Sequence, residues 1–194
     1  MKLVFATHNK NKFNEVKLLL PQHFELLSLT ELGCHEDIPE TARTLEGNAQ
    51  IKADYVTEKY GLSCFADDTG LLVDALNGAP GVYSARYAGE QKNAADNMAK
   101  LLSKLKETQN RAARFQTSIA LNLNGARFFF EGTVTGQITM EKRGENGFGY
   151  DPIFQPDGYE KSFGELSLAV KNKISHRGRA MQQLIAHLEH YPVK

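Results

Sequence analysis

Two adjacent carboxylates, Asp67 and Asp68, directly follow an apolar segment and come just before a glycine. Residues 63–66 predict a β-strand and residues 69–70 predict a turn, so both carboxylates are expected where the strand ends. Carboxylate oxygens held at such a position are ligands that suit Mg²⁺. The alternative is that one aspartate caps the turn and the other is only solvated, which is common for aspartates in turns.

A polar cluster follows the first predicted strand, residues 2–6, and opens a predicted helix that Pro21 ends. Its members are Thr7, His8, Asn9, Lys10, Asn11 and Lys12. Backbone N–H groups at a helix start, together with side-chain amides and ammonium groups, suit a phosphate. The cluster lacks the glycines and the Gly-Lys-Ser/Thr ending of a Walker P-loop. A solvated lysine cluster is the alternative, although cations at this end oppose the helix dipole.

A second helix is predicted from Leu45 to Tyr60, with Gly61 just beyond its last turn. Asn48 and Lys52 are four residues apart on its polar side and therefore lie next to each other. This polar side is either a solvated surface or the means by which Lys52 reaches the two aspartates. The loop before this helix, residues 30–43, is acidic and contains Glu36, Asp37 and Glu40.

The middle of the chain predicts a hairpin. Residues 113–123 alternate between apolar and polar, and residues 124–125 (Asn-Gly) predict a type I′ turn into a return strand. Three consecutive phenylalanines, residues 128–130, predict that the return strand is covered on both faces. Amphipathic helices are predicted over residues 94–105 and after Ser175, which is a plausible N-cap.

The C-terminal half contains a loop, residues 147–152, in which glycines alternate with aromatic residues. Rings that project from such a backbone could stack on a purine base. The alternative is a turn held in place by aromatic packing. His176 and Arg177 follow at the start of the last predicted helix.

Composition limits the classes of function. The 194 residues suffice for one domain, or for one domain in two lobes. Lysine plus arginine equals aspartate plus glutamate at 23 each, and this neutral balance argues against a nucleic-acid partner. No segment has the length of a membrane span or the pattern of a secretory signal. Cys34 and Cys64 lack metal-type spacing and are interpreted as reduced thiols of a cytoplasmic protein.

Four motifs together resemble the inosine triphosphate pyrophosphatase family, the Ham1-like pyrophosphatases of noncanonical purine nucleotides. They are residues 6–12 (ATHNKNK), 66–70 (ADDTG), 147–152 (GFGYDP) and 175–177 (SHR). Residues 77–89 also look like the central signature of this family. The three longer motifs are specific, and the resemblance extends over nearly the whole chain.

The resemblance implies a single domain over residues 1–194. Its fold would be an elongated α/β fold with a long central mixed β-sheet flanked by helices, two lobes and an active-site cleft between them. The implied activity is hydrolysis of inosine, deoxyinosine and xanthosine triphosphates to the monophosphate and pyrophosphate, with water attacking the α-phosphorus. Mg²⁺ is the implied cofactor and a homodimer the implied assembly.

The resemblance also implies roles for individual residues. Glu40 and Asp68 would bind the metal, and Asp68 would also accept the proton of the attacking water. Residues 7–12 would hold the phosphates. Independently of the resemblance, the charge of Lys52 would assist catalysis by offsetting that of the triphosphate. The other implied substrate contacts are Thr69, Phe148, Gly149, Tyr150, Asp151, Lys171, His176 and Arg177. With a cation nearby, the pKa of Asp68 is expected to be depressed, which favours activity at neutral to alkaline pH.

Two residues depart from the family pattern. Thr69 stands where serine is more frequent, which retains the hydroxyl group. Gly164 stands where alanine is more usual, which leaves the rigidity of that segment open. Neither departure affects the proposed metal ligands or the proton acceptor.

Three alternatives remain at this point. A Maf-type pyrophosphatase of other nucleotides fits less well, because the SHR motif and the Phe148 loop match the purine family. A non-hydrolysing nucleotide-binding regulatory domain predicts a lost metal carboxylate, yet Glu40, Asp67 and Asp68 are all present. An RNA-binding module with aromatic stacking platforms is disfavoured by the neutral charge.

Overall fold

The computed structural model describes residues 2–21 and 23–190, which form an α/β fold. The strands are β1 (Lys2–Phe5), β2 (Glu25–Ser28), β3 (Cys64–Val73), β4 (Pro80–Gly81), β5 (Ala112–Leu123), β6 (Ala126–Ile138) and β7 (Phe154–Pro156). The helices are α1 (Lys10–Leu19), α2 (Leu45–Tyr60), α3 (Ala94–Lys104), α4 (Leu168–Ile174) and α5 (His176–His190). Short 3₁₀ turns lie at Asp74–Leu76, Ser84–Arg86 and Asp151–Ile153.

One mixed sheet connects the strands in the order β2-β1-β3-β5-β6-β7, and β4 pairs with β3. β1 runs parallel to β2 and to β3, whereas β4 is antiparallel to β3 and β7 is antiparallel to β6. The predicted α/β fold with a mixed sheet flanked by helices is therefore confirmed.

The described chain divides into two compact units, and the division falls within β3, β5, β6 and α5. The first unit runs up to Asp68 and also contains Thr117–Gly132 and the chain from Gly178 onward. The second unit contains Thr69–Gln116 and Thr133–Arg177.

Alternation along β3 organises the core of the first unit. Phe65 stacks on Phe5, with ring centroids 4.6 Å apart, and belongs to a cluster that includes Val16 of α1. Its neighbours Cys64 and Ala66 belong to a different cluster, with Ala49, Ala53 and Val56 of α2. Successive side chains of a strand point to opposite faces, so one face of β3 packs against α1 and the other against α2.

Aromatic residues dominate the core of the second unit. Phe115 of β5 lies edge-on to Phe154 of β7, with centroids 4.7 Å apart, and stacks on His176 at 4.6 Å. The ring of Phe163 also stacks on that of Phe115, with centroids 6.2 Å apart. The three phenylalanine rings share one cluster with buried apolar residues of α3, Met98 and Leu101 among them.

Several sequence-based predictions are confirmed. α2 has the predicted limits, and Gly61 ends it in the left-handed conformation with φ 66°. Asn124 and Gly125 both have positive φ, 49° and 81°, as the predicted type I′ hairpin requires. The last helix is amphipathic as predicted, since it buries Ala180, Met181, Leu184 and Leu188.

Other predictions are wrong. The return strand is not covered on both faces, since Phe129 is 46% exposed. The segment before the last helix contains α4, a seven-residue helix that the sequence did not indicate; it ends at Ser175, which directly precedes α5 with the extended backbone (φ −70°, ψ 159°) of the predicted N-cap position. β3 continues through residues 67–70, where a turn was expected, and ends only at Val73.

No helix among residues 2–21 and 23–190 is both long enough and apolar enough to cross a bilayer.

Gly61 offers a test of how α2 is terminated. No atom lies within 4 Å of the position that a Cβ would occupy, so a substitution meets a conformational penalty and no clash. Gly61→Ala should lower the free energy of unfolding by about 1 kcal/mol, because left-handed φ is unfavourable for residues with a Cβ. Gly61→Asn should lose less, since asparagine tolerates this conformation. Urea denaturation measures both, and equal losses for the two variants would contradict the explanation.

Candidate functional site

Asp67 and Asp68 lie inside β3 and not at its end, and they have different partners. The Asp67 side chain is 2% exposed, and its Oδ1 accepts a hydrogen bond of 3.0 Å from Nζ of Lys12 in α1. Asp68 Oδ2 accepts a 3.0 Å hydrogen bond from Nδ2 of Asn48 in α2. The predicted carboxylate pair is therefore split between the two faces of the strand, one facing α1 and one facing α2.

Lys52 lies at the centre of the α2 side of this arrangement. Its Nζ donates to Glu40 Oε1 at 2.7 Å and to the backbone oxygen of Asp67 at 2.8 Å, and it lies 3.8 Å from Asp68 Oδ1. The predicted approach of Lys52 to the aspartates is confirmed. We call Glu40, Lys52, Asp67 and Asp68, together with Lys12, the carboxylate cluster.

Burial and charge act in opposite directions on the titration of this cluster. Burial lowers the pKa of Lys52, but the negative charges of Asp68, Glu40 and Asp67 outweigh it, so the pKa is raised and the amine stays protonated. Burial raises the pKa of Asp68, and Lys52 and Lys12 offset only part of this effect. The protein groups alone thus shift the pKa of Asp68 opposite to the depression expected from the sequence. That depression would have to come from a bound cation.

The predicted phosphate segment forms the start of α1. Asn9 is the N-cap, and its side chain accepts hydrogen bonds from the backbone N–H groups of Asn11 and Lys12 at 3.0 and 3.2 Å. Thr7 Oγ1 accepts from the Asn9 N–H at 3.1 Å. The described first turn carries no acidic residue, so Lys10 and Lys12 set its charge. His8 lies apart from these contacts and bonds the backbone oxygen of Glu36 at 3.0 Å.

In the second unit, a buried ion pair holds the aromatic loop in place. Lys171 Nζ donates to Asp151 Oδ2 at 2.7 Å, and both side chains are 4% exposed. The same carboxylate oxygen accepts the backbone N–H of Phe148 at 2.7 Å. A Cβ at Gly147 would come within 2.1 Å of Asp151 Oδ2, so only glycine permits this close approach.

Two cations lie against the Phe148 ring. Lys171 Nζ is 4.7 Å and Arg177 Cζ is 5.4 Å from the ring centroid, both within the range of cation–π attraction. Arg177 Nη2 also approaches Thr69 Oγ1 at 3.4 Å. We call Thr69, Phe148, Asp151, Lys171 and Arg177 the Phe148 group.

Two predicted substrate residues lie in the core of the second unit. Tyr150 is 5% exposed, and its hydroxyl donates to the backbone oxygen of Ser84 at 2.8 Å, so its ring does not project from the loop as expected. His176 is 4% exposed and stacks on Phe115. Gly149, which lies between the two aromatics, adopts a positive φ of 63°. The substrate contacts of these three residues remain predictions.

Gly164, one of the two departures from the family pattern, stands in a crowded position. A Cβ there would lie 2.6 Å from the backbone oxygen of Arg143 and 2.9 Å from Cα of Pro152. Glycine therefore lets these backbone segments approach more closely than alanine would.

The residues of the carboxylate cluster are compatible with Mg²⁺. Within residues 2–21 and 23–190, no three histidine, cysteine, aspartate or glutamate side chains are arranged to hold a metal ion by themselves. Glu40 and Asp68 nevertheless converge on one cation, Lys52 Nζ. Mg²⁺ commonly takes one or two carboxylates and completes its shell with waters and substrate phosphates. This donor set fits a metal ion that binds together with a triphosphate.

Comparison with known proteins decides the family. A model of the Ham1 family matches residues 3–187. The chain belongs to this family.

Two relatives of this Ham1 protein are each named dITP/XTP pyrophosphatase. One, from Flavobacterium johnsoniae, is 63% identical over 95% of this chain and 96% of its own. The other, from Christiangramia forsetii, is 60% identical over 97% of this chain and 99% of its own. The solved structure of a Ham1 protein from Coxiella burnetii superposes with a TM-score of 0.91 at 40% identity, and the match covers 98% of this chain and all of that one (100%).

Sequence reasoning missed two features of this Ham1 site. Asn48 was placed on the polar side of α2 but was assigned no role, although its spacing to Lys52 already put both side chains on one side of the helix. The pairing of Asp67 with Lys12 joins residues 55 positions apart, and no local pattern indicates it.

The buried ion pair of the Phe148 group can be tested through stability. Lys171→Met should lower the free energy of unfolding by about 3–5 kcal/mol, because it leaves the Asp151 charge buried without its partner. Urea denaturation of the purified variant measures this loss.

Lys59→Met is the matched control, since Lys59 forms an ion pair of similar length, 2.8 Å, with Glu36 at an exposed position. Exposed pairs contribute little, so this control should change stability only slightly. A small loss at both positions would show that the Lys171–Asp151 pair does not hold the loop.

Proposed function

We propose that this chain hydrolyses inosine, deoxyinosine and xanthosine triphosphates to the monophosphate and pyrophosphate. The observation that carries the proposal is the convergence of Glu40, Lys52 and Asp68 in a Ham1 family member. Its relatives at 63% and 60% identity are named dITP/XTP pyrophosphatase, and their chains are matched almost completely.

The carboxylate cluster supplies the chemistry at phosphorus. Asp68 accepts the proton of the attacking water, and the protonated Lys52 stabilises the negative charge that develops on the phosphate oxygens. Glu40 and Asp68 would hold Mg²⁺, which supplies further positive charge to the triphosphate and the transition state when bound. The start of α1, with Lys10 and Lys12, holds the phosphates and stabilises the departing pyrophosphate.

The Phe148 group supplies recognition of the base. A purine can stack on the Phe148 ring, an interaction worth about 1–3 kcal/mol per base. Arg177 has only hydrogen-bond donors, which match the keto oxygen at C6 of hypoxanthine and xanthine. Adenine carries an amino donor at the same position and would leave donors facing one another.

The homodimer that the resemblance implies is part of this proposal, and sedimentation of the purified chain tests it.

The proton acceptor can be tested directly. Asp68→Asn should reduce kcat by about 10²- to 10⁴-fold, because the amide cannot accept the proton of water. The fold should persist, since the amide oxygen can still accept the hydrogen bond from Asn48. The measurement is release of pyrophosphate, as opposed to phosphate, from deoxyinosine triphosphate with Mg²⁺.

Asp74→Asn is the control for this variant, because Asp74 is half exposed and pairs only at 3.5 Å with Arg114. It should retain wild-type kcat. A chelator should silence the wild-type protein, and added Mg²⁺ should restore it. Wild-type turnover by the Asp68 variant would remove Asp68 from the proposed role.

Base selectivity gives a separate test. The kcat/KM of the wild-type protein for deoxyinosine triphosphate should be roughly 10⁴-fold higher than for ATP. A site built to hydrogen-bond the C6 keto oxygen is expected to reject the C6 amino group of adenine by about this factor. Arg177→Ala should narrow this ratio, chiefly by lowering kcat/KM for deoxyinosine triphosphate. Steady-state kinetics with both nucleotides measure the ratio. Comparable kcat/KM values for ATP and deoxyinosine triphosphate in the wild-type protein would refute this recognition scheme.

A further inference from the structure

Asn48 is a fully buried amide, at 0% exposure, in the first turn of α2. Its Oδ1 accepts a hydrogen bond of 2.9 Å from the backbone N–H of Ala42, and its Nδ2 donates to Asp68 Oδ2 at 3.0 Å. The amide orientation follows from these partners, since a backbone N–H needs an acceptor and a carboxylate needs a donor. Asn48 thus joins the loop before α2 to the carboxylate of β3.

We propose that Asn48 is a positioning residue for the proposed reaction, which this inference presupposes. It holds Oδ2 of Asp68 and thereby orients the carboxylate that takes the proton. Through Ala42 it also holds the segment that carries Glu40 at a set distance from Asp68.

The contacts of Asp68 with α2 support this assignment. Oδ2 accepts the 3.0 Å hydrogen bond from Asn48, and Oδ1 lies 3.8 Å from the charged Lys52 Nζ. Asn48 and Lys52 are one helical turn apart, so α2 presents both groups to the same carboxylate. A catalytic carboxylate with one oxygen fixed is oriented before substrate binds, which lowers the reorganisation needed for proton transfer.

Packing at Gly47 holds the loop against α2 at this point. A Cβ on Gly47 would lie 2.7 Å from the Cβ of Ala42 and 3.0 Å from Thr44 Oγ1. The N-cap Thr44 also accepts the Gly47 N–H at 3.0 Å. The loop therefore approaches α2 as closely as glycine allows, and the Ala42–Asn48 hydrogen bond is made within this contact.

The second unit contains an asparagine with the same architecture and no carboxylate partner. Asn97 of α3 is 3% exposed, accepts the Ala88 N–H at 2.6 Å, and donates to the backbone oxygen of Ala85 at 2.9 Å. It also joins a helix to a loop, but its amide group meets a neutral carbonyl. Asn97 is thus a matched control for a purely structural amide.

The first experiment replaces each amide by a carboxylate of nearly the same shape. Asn48→Asp keeps an oxygen that accepts the hydrogen bond from the Ala42 N–H. It replaces the amide N–H group that faces Asp68 with a second, negatively charged carboxylate oxygen. With Mg²⁺ and deoxyinosine triphosphate, kcat should fall by about 10- to 100-fold, as is typical when a partner of an active-site group is lost, while KM stays close to that of the wild type. Asn97→Asp should lose stability but keep kcat per folded molecule. Wild-type kcat in Asn48→Asp, or an equal loss of kcat in Asn97→Asp, would overturn the inference.

The second experiment has no dependence on activity. Asn48→Asp is introduced into the wild type and into Asp68→Asn, and the urea midpoint of each protein is measured. In the Asp68→Asn background, the introduced carboxylate can accept from the amide at position 68, so the donor–acceptor pair is reversed but intact. Asn48→Asp should therefore lower the midpoint much less in this background than in the wild type. Equal decreases of the urea midpoint in both backgrounds, including failure of both proteins to fold, would contradict a coupling between positions 48 and 68.

The double variant also separates this inference from the proposed function. It should recover stability without recovering turnover, because the group at position 68 cannot accept the proton. If the wild-type protein releases no pyrophosphate from deoxyinosine or xanthosine triphosphate, the proposed function fails while the stability coupling still reports on the Asn48–Asp68 contact. If the wild type is active and Asn48→Asp matches its kcat, only the positioning role fails.

Discussion

Two carboxylates buried at successive positions of one strand impose the main constraint on the first unit. Their side chains point to opposite faces of β3, and both faces are covered by helices. A buried charge without a partner destabilises a protein by several kcal/mol, so each aspartate needs its own cation. α1 supplies Lys12 to Asp67 and α2 supplies Lys52 to Asp68, which ties the start of α1 and the first half of α2 to the same strand. The groups that would act on phosphates are placed by the pairs that make the fold stable.

The second unit uses a buried ion pair for a different purpose. Asp151 binds Lys171 and the backbone N–H of Phe148 through the same oxygen. The pair therefore fixes the backbone of the aromatic loop and, through it, the ring of Phe148. Lys171 in turn lies against that ring, so the same cation neutralises the carboxylate and polarises the proposed stacking surface. Here the charges hold a neutral platform in place, whereas in the first unit they are themselves the proposed reacting groups.

Features encoded by local patterns were predictable from the sequence, and features that depend on distant residues were not. The limits of α2, its glycine cap and the Asn124-Gly125 hairpin follow from periodicity and turn chemistry within a few residues. The predicted end of β3 was too early because aspartate and glycine have low strand propensity, and burial between two helices overrides that propensity at Asp67 and Asp68. Separation along the sequence explains why the Asp67–Lys12 pair and the Asn48–Asp68 contact were missed, although every residue involved lay in a segment recognised as polar. Phe129 was predicted to be covered only because its neighbours are also phenylalanines, and burial depends on the face of the strand.

Preorganisation would allow a chain with no net charge to hold the proposed triphosphate. The buried aspartates are desolvated during folding, when Asp67 pairs with Lys12 and Asp68 with Lys52, and this cost does not recur when substrate binds. The charges also differ in position, since the described first turn of α1 carries lysines and no acidic residue, while Asp67 and Asp68 are buried in β3. An ammonium group has three donors, so Lys12 could remain paired with Asp67 in the proposed contact with a phosphate oxygen. Substrate binding would then add a contact to an existing ion pair without breaking it, which would keep the buried aspartate paired throughout the proposed reaction.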